Sequence, residues 1–164
     1  MELTLHQALW FLPFAAPIAF YVAWSDLKFM RIPNRAVLLL GVLFMLIGPI
    51  ALPFDVFLWR LAQLMVVLAV GFMANAAGLV GGGDAKFAAV MAPFFAAGDM
   101  RLVLVVFAGM LLGAFVTHRF FLRVALLRAL VPDWKSWTTG RDFPMGLALA
   151  GTLIFYLLLG LTGG

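Results

Sequence analysis

The chain has 164 residues, is 66% hydrophobic and only 11% charged, and carries a formal charge of +4 with no cysteine. Soluble domains average about 45–50% apolar and about 25% charged residues, so an apolar excess gathered into long runs points to a bilayer and away from a water-soluble core. The missing cysteines exclude disulfides, thiolate nucleophiles and cysteine-ligated zinc, and two histidines, His6 and His118, argue against a histidine-rich metal site. No basic stripe interleaved with aromatics accompanies the positive charge, which argues against a nucleic-acid partner.

The N-terminus carries Glu2 and has no Lys or Arg before its first apolar run. No small-x-small cleavage site precedes a soluble domain, so the first run reads as a retained helix and not as a cleaved signal. A membrane-spanning helix needs roughly 20 mostly apolar residues. Six runs qualify: about Ala8–Trp24, Ala36–Phe54 with a kink expected at Gly48-Pro49, Phe57–Val80, Phe87–Ala97, Leu102–Phe121 and Pro144–Leu161. The fourth is long enough only if it begins near Gly81. The expected fold is an all-α integral membrane protein with six transmembrane helices, one domain over residues 1–164, and no internal repeat.

Lys and Arg in short loops set orientation. With the loop after the first helix inside, Lys28, Arg31, Arg35, Lys86, Arg119, Arg123, Arg128, Lys135 and Arg141 fall inside and only Arg60 and Arg101 outside. Both termini are then expected on the outer, periplasmic side. The basic segment between the fifth and sixth helices, Thr117 to Trp134, mixes Arg and apolar residues at helical spacing. It reads either as an interfacial continuation of the fifth helix attracted to anionic lipid or as a plain topology-fixing loop.

Ionisable residues at membrane depth are costly, and are functional candidates for that reason. Of the seven acids, Glu2 is terminal, Asp55 and Asp99 fall in outer turns, and Asp133 and Asp142 fall in the long inner loop. Gly98-Asp99 lacks a full G-x-G-D pattern. The remaining two differ. Asp26 closes the first helix, and Asp84 follows Gly81-Gly82-Gly83 at the start of the fourth, which puts both at one depth on the inner face. Two adjacent carboxylates do not both ionise cheaply, so one keeps a proton. The ionised member then takes a proton from water while the protonated one polarises a peptide carbonyl, which is general acid–base hydrolysis with no metal. The glycines permit close backbone approach and unusual dihedrals, suited either to an extended substrate or simply to helix packing.

Asp26-Leu27-Lys28-Phe29-Met30-Arg31-Ile32-Pro33-Asn34 resembles the D-x-x-x-x-x-I-P-N signature of prepilin peptidases, and Gly81-Gly82-Gly83-Asp84-Ala85-Lys86 resembles their G-x-G-D-x-K signature. Pro144-Met145-Gly146 is a weaker third match, with Met145 where the family often has Tyr, and no role is placed on it. The resemblance implies a multi-pass enzyme of the bacterial inner membrane, an aspartic endopeptidase whose catalytic residues are Asp26 and Asp84. Its substrate is a prepilin or pseudopilin, a basic leader followed by a hydrophobic helix, cut on the cytoplasmic side of that helix. Larger members also N-methylate the product and carry a cytoplasmic segment with paired CxxC motifs. This chain lacks both cysteines and segment and is similar to the short, peptidase-only form serving tight-adherence (Flp-type) pili, so no methyl donor, metal or other cofactor is expected. An archaeal-type preflagellin peptidase would share the chemistry.

Around the pair, Gly81, Gly83 and Lys86 are expected to support the site, Lys86 by setting its charge or holding substrate, or as a topology anchor. Pro33 and Asn34 are expected to shape the turn into the second helix. Asn75 and Gln63 read as interhelical hydrogen-bond partners, His118 as a surface histidine, and Trp10, Trp24 and Trp59 as interface anchors. Two rival readings are a proton-coupled carrier, which calls for midplane polar groups and inverted repeats, and a non-catalytic subunit that binds pilin-like helices.

Overall fold

The computed structural model describes residues 1–124, 129, 131–138 and 143–163. Among these it is helical: α1 Leu5–Phe29, α2 Asn34–Ala51, α3 Phe54–Ala76, α4 Gly82–Met91, α5 Met100–Arg123 and α6 Met145–Leu161, with short 3-10 turns at Ala92–Phe94, Ala97–Asp99 and Lys135–Trp137. Four helical segments are long and apolar enough to cross a bilayer, Leu5–Phe29, Asn34–Ala51, Phe54–Ala76 and Ala97–Arg123, while α6 is a shorter apolar helix. Large apolar side chains such as Trp59, Phe72, Leu79, Val105 and Phe120 point outward. Such a surface suits a multi-pass membrane protein, because lipid tails and not water accept it.

Local chemistry sets the ends of these helices. Thr4 and Gln7 form a reciprocal capping box at the start of α1. That helix runs on to Phe29 and stops at Met30, a non-glycine residue in the left-handed region at φ 53. Asp26 therefore lies in the last turn of α1 instead of closing it. α2 continues through Pro49 to Ala51, and α3 begins directly after Pro53. α3 ends short of Val80 in a Schellman turn: Gly78, at φ 73, donates to the Asn75 carbonyl while Leu79 donates to that of Ala74. The Asn75 side chain adds a 2.8 Å bond to the Val80 carbonyl, so it closes this turn and does not bridge helices.

The fourth span departs most from expectation. α4 has only ten residues, about 15 Å at 1.5 Å per residue against a hydrocarbon core about 30 Å thick. Pro93 stops it, because a proline lacks the N–H and crowds the carbonyl four residues back. Beyond α4 the chain continues as a turn and an extended stretch, with Met91 to Ala96 all buried. Buried irregular backbone persists only when protein satisfies its polar groups. Arg60 donates to the Pro93 carbonyl (3.1 Å), and the Ala96 N–H donates to the Tyr156 hydroxyl oxygen (3.0 Å).

Arg60, expected on the outer side, and Asp99, expected in an outer turn, are both buried. Asp99 accepts from the backbone N–H of Glu2 (2.8 Å) and Leu3 (3.1 Å) and from the Tyr156 hydroxyl (2.7 Å). The Glu2 carboxylate in turn accepts from the Gly98 N–H. Glu2 and Asp99 thus tie the N-terminus to the broken span and to α6. α1 and α6 form the most extensive helix pairing and run antiparallel: Gly160 meets Leu3 and Ala8 at one end, and Gly146 meets Asp26 at the other.

The core beside them is aromatic. Phe44 stacks on Phe11 (5.9 Å) and Phe57 (5.5 Å) and takes Phe94 edge-on (5.3 Å). Gly48 makes room for this cluster, since a Cβ there would lie 2.8 Å from the Phe57 ring. Gly48→Ala is accordingly expected to destabilise the protein by about 1–2 kcal/mol, the overpacking outweighing the helix-propensity gain. Thermal unfolding in detergent checks this.

Three further expectations meet the structure here. Among the described residues Gln63 Oε1 is buried with no hydrogen-bond partner. His118 is buried and not on the surface, because Trp137 stacks on it at 5.3 Å and Phe143 meets it edge-on. α5 ends at Arg123, where Val124 turns to extended backbone. Of the interfacial continuation expected over Thr117 to Trp134, residues 125–128 and 130 lie outside the described residues, as do Arg141 and Asp142.

Candidate active site

At the end of the bundle opposite the Glu2–Asp99 knot, a cavity of about 690 Å³ opens between the last turn of α1, the 30–34 loop and the first turn of α4. Asp26 and Asp84 both line it, with Gly81, Gly82, Gly83, Lys86, Pro33 and Asn34 around them. Positions 58 residues apart in sequence thus come to one chamber, as their expected common depth required. The two carboxyl groups are near enough to interact electrostatically.

Each acid is held by its own helix end. Asp26 is buried, and its Oδ2 accepts a 2.7 Å bond from the Gly146 N–H in the first turn of α6. The Asp26 carbonyl accepts from Met30, which turns the chain into the loop. The Ser25 hydroxyl then donates to the Arg31 carbonyl (3.0 Å) and pins that loop over the cavity. Asp84 is the third residue of α4, half-buried, where a carboxylate suits the positive end of the helix and its free N–H groups.

The role of the glycines is spatial and not dihedral. Gly81 caps α4 at φ −63 and ψ 141, a region open to any residue. A Cβ at Gly81 would stand 2.5 Å from the Asp84 Oδ2, and one at Gly83 would touch Ile32 at 3.4 Å. Gly81→Ala is therefore expected to displace the Asp84 carboxyl; if Asp84 is a reacting group, as the motif resemblance implies, cleavage falls about 100-fold, the scale of a misplacement by about 1 Å, with substrate binding little changed, and steady-state kinetics check it.

Among the other expected supports, Pro33 is the residue before α2 and its extended backbone aims the loop, and Asn34 opens α2 without a side-chain cap. Lys86 is exposed on the cavity rim. Lys28 holds its ammonium over the exposed Trp24 ring (5.1 Å) and Phe29 ring (5.3 Å). Among the described residues no group of three or more His, Asp or Glu is placed to hold a metal ion. Two contributors escaped the sequence reading. Ser25 carries no motif signal of its own, whereas Gly146 stood in the third, weaker motif.

A family model described as the type IV leader peptidase family matches residues 14–118, a stretch that includes both acids. No curated protein and no solved structure matches the chain.

Proposed function

Because this chain belongs to the type IV leader peptidase family, an aspartic-type family of prepilin-type leader peptidases, we propose that Asp26 and Asp84 are its catalytic pair and that it removes the basic leader from prepilin-like proteins. The observation that carries this reading is the meeting of both acids in one cavity at one end of the bundle. One carboxyl group is ionised and one protonated. The ionised carboxylate takes a proton from water as the water oxygen attacks the scissile carbonyl. The protonated carboxyl gives its proton to the carbonyl oxygen, and a tetrahedral diol forms. Collapse of the diol breaks the C–N bond: the departing nitrogen takes a proton from one carboxyl group while a diol hydroxyl gives its proton to the other carboxylate, so the pair again holds one proton.

Family and charge together favour the Asp26 end as the cytoplasmic side of the inner membrane, with both termini outside. The substrate's helix stays in the bilayer and arrives laterally, its leader held at the surface, and the bond ahead of that helix reaches the cavity. A carrier would need polar groups spread across the membrane, while here both acids share one end. A purely binding subunit would have no need of the pair.

The test is cleavage of a membrane-inserted prepilin-like substrate by the full chain, with the product's new N-terminus identified by mass spectrometry. A product starting just ahead of the hydrophobic segment is the expected result. An uncut substrate, or cleavage unaffected by loss of both acids, overturns the reading.

A further inference from the structure

The bond from Gly146 to Asp26 has properties that ordinary packing does not require. Gly146 is the second residue of α6, where a backbone N–H has no acceptor within its own helix. Its partner is 120 residues away, and the 2.7 Å bond is buried. The approach leaves no room for any side chain, since a Cβ at Gly146 would stand 2.9 Å from the Asp26 Oδ2 and 3.0 Å from its Cβ and Cγ. Among the described residues Oδ1 has no protein donor, so the other carboxylate oxygen is left for the cavity that Asp26 lines. The far end of α6 is anchored as well, by Tyr156 on Asp99 and by Gly160 against Leu3 and Ala8. α6 is thereby fixed lengthwise against α1.

From this geometry we propose that Gly146 is a positioning residue of the peptidase centre: its N–H holds one oxygen of Asp26, its missing side chain lets α6 come close enough to do so, and the second oxygen is thereby presented to the attacking water. The inference rests on the peptidase reading of Asp26. It adds the first turn of α6, which lies beyond the matched residues 14–118, to the machinery of the site.

Two measurements on the full chain in detergent test it. In steady-state cleavage, Gly146→Ala should lower kcat about 100-fold, the scale of a misplaced catalytic group, with KM within about twofold. Gly151→Ala, in the same helix, should leave both constants at wild-type values, because its Cβ meets only the flexible Met110 Sδ, at 3.2 Å. In hydrogen exchange, the Gly146 amide should be protected in wild type and exchange at least about tenfold faster in Asp26→Ala, as loss of a charge-assisted bond requires. The exchange measurement needs no Gly146 variant, so it decides the matter even if Gly146→Ala does not fold. An unchanged kcat in Gly146→Ala, an equal loss in Gly151→Ala, or equal Gly146 exchange in wild type and Asp26→Ala overturns the proposal and leaves the peptidase reading standing. A wild-type chain that cleaves nothing overturns the peptidase reading instead, and with it any catalytic meaning of the contact.

Discussion

Asp26→Asn and Asp84→Asn are each expected to lower kcat/KM for leader cleavage by at least about 10³-fold, and the double variant to be no worse than the weaker single one. Asn fills nearly the volume of Asp and can still accept the Gly146 N–H, so the fold and insertion should persist. What is lost is the ability to exchange a proton. With one amide in the pair, either water has no base or the carbonyl has no acid, and the remaining carboxyl cannot serve both roles in one step. Effects of groups that act as a unit do not add, so a sum of the two single losses in the double variant would show that the acids work independently. Single-turnover cleavage with quantified, membrane-inserted enzyme is the measurement. Retention of wild-type rate in either variant refutes the assignment of that residue.

The second large effect concerns stability. Asp99→Ala should destabilise the protein by about 3–5 kcal/mol, the scale seen when one partner of a buried charged network is removed. Three donors, the Glu2 and Leu3 N–H groups and the Tyr156 hydroxyl, lose their acceptor together. Buried Arg60, which interacts electrostatically with Asp99, loses a compensating charge. Asp99→Asn keeps an acceptor oxygen and should fall between the two. Tyr156→Phe should cost about 1–3 kcal/mol, since it removes the bond to Asp99 and leaves the Ala96 N–H unpaired. Thermal unfolding of the three variants and wild type in detergent is the measurement that checks this order.

Much of this was written in the residues themselves. Apolar runs of spanning length determined an all-helical membrane protein, since lipid offers the backbone no hydrogen bonds and helices satisfy their own. Two acids beside short motifs, each at the edge of an apolar run, marked Asp26 and Asp84 before any geometry was at hand, and the structure brings them into one cavity. What local sequence could not decide were contacts made across the bundle. Pro93 is a visible helix breaker, but that the chain would continue unwound through Ala96 depended on Arg60 and Tyr156, residues of two other helices, reaching its backbone. Glu2 and Asp99 looked like a terminus and an exposed turn because their partners lie nearly 100 residues away. His118 looked exposed until Trp137, from the segment beyond α5, covered it. Gly146 stood in a weak motif without a role, and only the antiparallel packing of α6 on α1 shows why no side chain fits there. Hydrophobic length and acid placement are properties of a segment and can be read along it; the hydrogen-bond partners of buried polar groups belong to the packed bundle, and tertiary structure alone assigns them.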